Sequence, residues 1–396
     1  MIAPDAVGTA KGSSATPFSL AASTPTAPIS LFLMVNTLET GGSERQFAVL
    51  AQNLTPSQFQ VHLGCVSHRG GLADEFDRIP QFPLGGSLFG LRSLRTRLKL
   101  RGHLRENRVE VAHAFDFYAN LTMIPAARLA GVPVVIGSHR QLGDLMTPAQ
   151  FRAQAAAFRW CDAVVCNSRA AADRLAAAGL ARTKLAVIGN ALPGAVFELA
   201  APALERRPDL LRVGMVARMN AAYKNHAGFL RIAAAVHAQM PNVEFVLAGD
   251  GPLRAELEQQ AAALRIRGRV LFLGDRRDIA SVLASLDVAV LTSDSESLSN
   301  VILESMAARL PAVAFDVGGN AELVNDQRGA LVAPGNEADF AAAILRLLAD
   351  ENLRARLGAN ARQCVEENFH LDQVCRQYEE LYRKLLDRKR GGRAKA

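Results

Sequence analysis

Four charged residues are spaced in a way that could hold a phosphorylated diol. Arg218 and Lys224 lie in one stretch, Ala217-Arg-Met-Asn-Ala-Ala-Tyr-Lys-Asn225, directly after the apolar run Leu211–Val216. An arginine fork and a lysine point charge in a single strand-to-helix loop suit a diphosphate, because together they neutralise it as it leaves. Glu296 and Glu304 stand at the two ends of Glu-Ser-Leu-Ser-Asn-Val-Ile-Leu-Glu. A carboxylate accepts two hydrogen bonds from a vicinal diol, a task that neutral side chains do less strongly. Between these acids, Ser299 and Asn300 are residue types suited to an N-cap. A helix beginning there carries Glu304 in its early turns, where a carboxylate also suits the helix dipole. The next apolar strand, Val313–Phe315, empties into Gly318–Gly319, and a short helix begins near Asn320. Two such turns side by side, lined with carboxylates and glycines, are where an open parallel sheet holds a ligand.

The Glu296…Glu304 spacing resembles the signature of the family 4 glycosyltransferases, the large retaining family with the two-domain GT-B fold. The family pattern reads roughly Glu-Gly-x-x-Asn-x-x-x-Glu, and Ser297 stands here in place of its glycine. Arg218 and Lys224 match the family's Gly-Arg…Lys-Gly/Asn element, with Ala217 in place of the glycine. Near the start, Gly41-Gly42-Ser-Glu-Arg45 is similar to the Gly-Gly-x-Glu-Arg opening of many members, although a double glycine by itself fits a tight turn equally well. Gly249-Asp-Gly251-Pro252 resembles the family's Gly-x-Gly-Pro turn beside the nucleotide. It is not a dinucleotide fingerprint, because Arg254 occupies the place of the third glycine. The resemblance covers roughly residues 30–385.

The resemblance implies a division of labour. Glu304 grips the ribose hydroxyls, and Glu296, with the amides around Gly318–Asn320, faces the donor sugar. Arg218 and Lys224 take the diphosphate, and Gly41, Gly42, Gly249 and Gly251 border it or the nucleotide. Ser299 and Asn300 complete the donor set. A histidine six residues after the proline of one strand faces the donor sugar in members of the family, and Pro133 to His139 has that spacing. The catalytic set is then His139, Arg218, Lys224 and Glu296, with His113, at the end of the preceding strand, as the competing histidine. No Asp-x-Asp triplet occurs, Asp294-Ser-Glu296 being the nearest, so neither a metal-clamped diphosphate nor another cofactor is expected. The implied substrates are a nucleotide-sugar donor (UDP or GDP) and a glycan or lipid-linked acceptor. A nucleotide-sugar epimerase of the same fold and a catalytically silent nucleotide-sugar-binding protein are the alternatives.

The positioning elements follow from length and punctuation. A chain of 396 residues with 49% hydrophobic residues can build two domains with sizeable cores. Strand-like runs alternate with helical patterns throughout, which gives two doubly wound α/β units with parallel sheets, facing across a cleft. The expected divisions are a disordered leader at 1–28, an acceptor-side domain at 29–195 and a linker at 196–208. A nucleotide-sugar domain at 209–370 follows, and then a C-terminal helix and basic tail at 371–396, the helix crossing back to the first domain. The last residues, from Arg388, are expected to be a frayed end.

A net charge of +7 permits contact with phosphates or an anionic membrane. With sparse aromatics and no nucleic-acid motif, it does not point to nucleic acid. The most basic stretch, Arg92–Arg108, has Leu91, Leu94 and Leu98 at helical spacing. One side could sit on a core while the other meets anionic lipid, or the basic side could simply be solvated. No apolar run reaches the roughly 18 residues of a membrane span. Five cysteines without metal spacing read as reduced thiols of a cytoplasmic protein, which the family's habits place at the inner face of the cell membrane.

Overall fold

The computed structural model describes residues 27–393 except 78 and 89, so the expected leader lies outside the described residues apart from its last two. In the first half β1 (Ile29–Val35), α1 (Gly42–Asn53), β2 (Phe59–Cys65), α2 (Leu91–Glu106), β3 (Val111–Ala114) and α3 (Phe117–Ala130) come first. They are followed by β4 (Val134–His139), α4 (Pro148–Phe158), β5 (Ala163–Cys166), α5 (Arg169–Ala177) and β6 (Leu185–Val187). These strands form one parallel sheet in the order β2-β1-β3-β4-β5-β6. Both faces are covered by helices, so β3, β4 and β5 are buried along their whole lengths and read as nearly continuous apolar runs.

The second half repeats the plan with β7 (Leu211–Val216), α6 (His226–Gln239), β8 (Val243–Ala248), α7 (Arg254–Ala263), β9 (Val270–Gly274) and α8 (Ile279–Leu283). It continues through β10 (Val288–Leu291), α9 (Asn300–Ala307), β11 (Ala312–Phe315), α10 (Asn320–Leu323) and β12 (Gly329–Val332). Its parallel sheet runs β12-β11-β10-β7-β8-β9. Two helices, α11 (Glu337–Ala349) and α12 (Glu351–Asn368), complete this unit, and α13 (Leu371–Arg393) closes the chain.

The apolar side of α13 (Val374, Tyr378, Tyr382, Leu386) joins the core of the first sheet. Its polar residues are tied down as well: Glu379 accepts from the Thr55 amide at 2.9 Å and hydroxyl at 2.7 Å. As far as Arg393, the last described residue, the tail is not frayed. The helix runs on to Arg393, with Lys389 2.7 Å from Asp162 and Arg390 2.6 Å from Glu110. Beside this crossing runs the earlier one, where the Leu192 amide donates to Phe369 and its carbonyl accepts from Leu371.

Helix α2 is turned the other way from the expectation of a leucine face on a core. Its buried residues are Ser93, Thr96, Leu100 and Leu104, whereas Leu91, Leu94 and Leu98 are 76%, 51% and 48% exposed. The small hydroxyl residues win the inner face because Ser93 donates to the Leu88 carbonyl and Thr96 to the Pro83 carbonyl. Buried hydroxyls with partners cost little. All five cysteines are free, and four of them are buried.

Candidate active site

In each sheet the strand order reverses once, and a ligand crevice opens where it does. In the second sheet the reversal lies between β7 and β10, which pair through Val213 and Val288. The loops after these two strands carry Arg218, Lys224, Asp294 and Glu296. Hydrogen bonds lock the loops together: Asp294 donates its amide to the Tyr223 carbonyl at 2.7 Å, and Thr292 donates its hydroxyl to the Asn225 carbonyl at 2.9 Å. Asn225 adopts a left-handed conformation (φ 54°) and caps α6 by accepting from Gly228 at 2.9 Å. Lys224 stands just before this turn, and its ammonium donates to Glu296 Oε1 at 2.6 Å. Both partners are mostly covered.

Glu304 sits one turn into α9, whose start is fixed by the Ser299 hydroxyl accepting from the Ile302 amide. It borders a cavity of about 330 Å³ shared with Arg45, Arg277 and Arg309. Burial holds its carboxyl above the usual range, against the pull of Arg45 at 3.5 Å. Lys224 and Glu296 thus meet directly, with Arg218 on the Lys224 loop, whereas the cavity that Glu304 lines includes none of these three.

The first domain supplies the other wall. Its own reversal lies between β1 and β3, and the loops after them meet where the Asn36 amide donates to Asp116 Oδ2 at 2.5 Å. Thr40, from the β1–α1 loop, accepts from Arg218, and Arg45, from the first turn of α1, reaches Glu304. A Cβ at Gly42 would stand 3.2 Å from the Asn300 amide nitrogen. A polar chain crosses deeper down: Arg140 donates to Asn190 Oδ1 at 2.5 Å, and Asn190 donates to Asn300 Oδ1 at 2.6 Å. Ser297, which departs from the family's glycine, also bridges the domains, donating to Asn167 Oδ1 at 2.5 Å.

The glycines act as spacers. A Cβ on Gly318 or Gly319 would fall 1.8 Å from the Glu296 carbonyl or 1.9 Å from that of Ser297. The amides of Gly319 and Asn320 are already committed, to Glu296 and Val317, which removes them from the set expected to hold a sugar. Gly249 and Gly251, both at positive φ, let the β8 loop lie against the carbonyls of Ala217 and Met219, on either side of Arg218.

The two histidines separate. His113 is fully buried, with the Tyr382 hydroxyl 2.7 Å from one ring nitrogen and the Ser138 hydroxyl 2.7 Å from the other. Burial drives its pKa down to about 3. It is a tie between α13 and the first sheet. His139, just as buried, ends β4, the strand-end position, with Gln154 3.2 Å from Nδ1 and, among the described residues, no partner on Nε2. Burial lowers it to about 4.

Sequence reasoning did not single out Asp116. It caps α3 by accepting from Ala119 at 3.1 Å, and burial, with Glu44 adding repulsion, raises its pKa to about 7. Its strand-end position after His113 was the available signal, but its neighbours come from the β1 loop.

Two doubly wound units facing across such a crevice define an α/β protein of GT-B type. Among solved structures, Anabaena HepE in complex with UDP superposes with a TM-score of 0.78 at 22% identity, covering 90% of this chain and 100% of that one. Residues 40–193 match the model described as Glycosyltransferase Family 4, and residues 211–350 match that of Glycosyl transferases group 1. The lipopolysaccharide core biosynthesis glycosyltransferase LpsE of Rhizobium meliloti (strain 1021) is 32% identical over 243 residues, 61% of this chain and 68% of that protein. The N-acetyl-alpha-D-glucosaminyl L-malate synthase of Bacillus anthracis is 34% identical over 166 residues, 42% of each chain, so that match spans less than half of the relative. The chain belongs to the family 4 glycosyltransferases.

Proposed function

We propose that this protein is a retaining glycosyltransferase that moves a sugar from a UDP- or GDP-linked donor to an acceptor hydroxyl. The acceptor is a glycan or a lipid-linked glycan of cell-surface polysaccharide or glycolipid assembly, reached from the cytoplasmic side of the membrane. The carrying observation is the Lys224–Glu296 pair at 2.6 Å, set beside Arg218 at the strand-order reversal of the second sheet. The UDP named in the HepE complex favours uridine as the base, and the lipopolysaccharide in LpsE's name favours a glycolipid acceptor.

In this reading Arg218 and Lys224 lie along the diphosphate and stabilise it as the glycosidic bond breaks. Their two positive charges make a metal unnecessary for that step. Glu304 accepts from the ribose diol, with the nucleoside in the adjoining cavity. Glu296, held by Lys224 and by the Gly318–Gly319 turn, orients the donor sugar. The departing phosphate oxygen takes the acceptor proton on the same face, which retains configuration and asks for no second carboxylate at double-displacement spacing. His139 supports a hydroxyl of the donor sugar from the end of β4.

Calorimetric titration of UDP and GDP in the presence of EDTA tests the assignment. We expect one of them to bind, and Lys224→Ala to weaken it by about 10- to 100-fold, the worth of a charge-assisted hydrogen bond. Binding of neither, or equal binding by Lys224→Ala, overturns the reading.

A further inference from the structure

At the open end of the first sheet, the strand-end loops enclose a second cavity, of about 640 Å³, to which the donor reading assigns nothing. That volume lies in the range of about 300–1,000 Å³ usual for small-molecule sites. Its walls are the loop after β1 (Asn36), the loop after β2 (Arg69), the segment before α2 (Gln81, Gly85, Gly86) and Tyr118 at the start of α3. Arg69 is the only charged residue among those that line it.

The polar groups of this lining are mostly donors without work. The Arg69 guanidinium makes no hydrogen bond or ion pair among the described residues, although its backbone is fixed. Its amide donates to the Ser67 carbonyl at 3.1 Å, and its carbonyl accepts from the Leu38 amide at 2.9 Å. Gln81 spends its side-chain carbonyl on the His68 amide at 3.3 Å, which leaves its NH2 group to donate. The amides of Gly85 and Gly86 have no acceptor among the described residues, and a Cβ on Gly86 would meet nothing within 4 Å. No carboxylate lines the space. The acid that holds Asn36, Asp116, is itself buried and spends both of its oxygens on amides.

Tyr118 adds a platform. Its side chain is 42% exposed, and Phe117 braces the ring edge-on, with centroids 5.1 Å apart. A pyranose has faces of C–H groups and a rim of hydroxyls, and a tyrosine offers it a flat apolar face with a hydroxyl at one end.

We propose that this cavity receives the terminal sugar of the acceptor and selects a unit that carries an anion, with Arg69 on the anion and Tyr118 against the ring. The step rests on the reading that the acceptor is a glycan, and it names the class of its terminal unit. The anion is a uronic carboxylate or a sugar phosphate, since both present the pair of oxygens that an arginine fork takes bidentately. An unpaired base among spare donors, with no acid lining the same space, is complementary to such a group and leaves a neutral sugar without a match for the charge. Position fits the role. A Cβ on Gly71, in the Arg69 loop, would lie 3.0 Å from Thr40 Cγ2, and Thr40 accepts from Arg218. A sugar seated in the cavity is therefore one loop away from the arginine assigned to the leaving diphosphate.

Calorimetric titration of the full chain, with and without UDP, tests the proposal. The probes are methyl glucoside, methyl glucuronide and glucose 6-phosphate, together with their three galacto counterparts. In at least one series an anionic member should bind about 10- to 100-fold more tightly than its neutral parent. A preference for the glycuronide identifies the anion as a carboxylate, and a preference for the 6-phosphate identifies it as a phosphate. Arg69→Gln should bring the anionic member down to the neutral one. Arg95→Gln makes the same charge change at an exposed base outside the cavity and should alter neither. Tyr118→Ala should weaken neutral and anionic members alike, about tenfold, so that the preference survives. All three side chains are exposed, so the variants should melt with the wild type. Binding of no probe, equal binding of neutral and anionic sugars, a preference that survives Arg69→Gln or falls equally in Arg95→Gln, or unchanged binding by Tyr118→Ala overturns the proposal. UDP binding without an anion preference rejects only this proposal; an anion preference without UDP binding rejects only the donor reading.

Discussion

Gly319→Ala is a steric test of how Glu296 is held. A Cβ there would fall 1.9 Å from the Ser297 carbonyl oxygen and 3.0 Å from Ser168 Cβ. Carbon and carbonyl oxygen normally approach to about 3.3 Å, so the two loops must part by more than about 1 Å. The backbone itself permits alanine, because Gly319 has φ −85°. The perturbation is therefore a displacement and not a dihedral strain. The segment that has to move carries Glu296, whose carbonyl accepts from the Gly319 amide at 3.2 Å. Overpacking of this kind costs about 1–3 kcal/mol, and each kcal/mol lowers the melting temperature of a domain of this size by about 2–4 °C. A misplacement of about 1 Å in a positioning group costs about 100-fold in rate. We expect kcat to fall by that order while UDP affinity changes much less, since Arg218 and Lys224 lie on the other loop. Gly268→Ala, at a glycine with open space around it, is the control and should change neither. Calorimetric melting and steady-state kinetics read both effects. Wild-type turnover and melting in Gly319→Ala would refute the claim that this contact positions Glu296.

Other perturbations have definite signs. His113→Ala leaves the Tyr382 and Ser138 hydroxyls without their partner in the core. It should cost about 3 kcal/mol in urea melts with kcat unchanged well below the melting temperature; a selective loss of kcat would make it a site residue. Burial depresses the two histidines to about 3 and about 4, so between pH 4 and 6.5 the unfolded chain binds the extra protons. Their contribution is whole above pH 6.5 and is lost as pH falls, while Asp116, raised to about 7, contributes with the opposite sign between 3.8 and 7. His62, His103 and His226, also lowered by burial, act with the two histidines. Glu44 and Glu304, also raised by burial, act with Asp116. The histidines outnumber the acids, so the melting temperature should drop from pH 7 to 5, and Asp116→Asn should steepen the drop. Arg45→Ala removes a half-exposed pair with Glu304. Such pairs are worth about 0–1 kcal/mol, so UDP should bind up to about fivefold more tightly by calorimetry, and weaker binding would show that Arg45 touches the donor.

What could be read in advance depended on how local the determining contact is. Strand β7, Leu211–Val216, was legible to the residue because an apolar run stops where a charged loop begins, and Ser299 announced α9 because capping is a matter of three residues. The meeting of Lys224 with Glu296, beside Arg218, followed once strands alternate with helices, since strand-end loops then share one edge. The face of α2 did not follow. A stripe at i, i+3, i+7 looks the same whether it meets a core or a membrane, and the decision lay with the carbonyls of Pro83 and Leu88. His113 and His139 stayed in competition for the same reason: one partner of His113, Tyr382, is 269 positions away. The grouping of Asn36 with Asp116 required knowing that β3 pairs with β1. The tail from Arg388 looked frayed because its anchors, Glu110 and Asp162, are on strand ends far back in the chain.

The contacts between the two domains sort by burial, and that sorting decides where the cleft opens. At the β1–α1 side the links are Arg218 to Thr40 and Arg45 to Glu304, each made by an exposed arginine to a partly covered partner. Exposed pairs of this type hold about 0–1 kcal/mol each. At the other side Asn190, buried, bridges Arg140 to Asn300, Ser297 meets Asn167, and the chain crosses twice through Leu192 and Phe369. Separating that side would strand several buried polar groups at about 1–3 kcal/mol apiece. The first side should therefore yield before the second, with the double crossing as the pivot. In the proposed reading, a donor arriving at that side would replace the two weak links with its own diphosphate and ribose. Lys224 and Glu296, both on the second domain and already paired, would keep their geometry through such a motion.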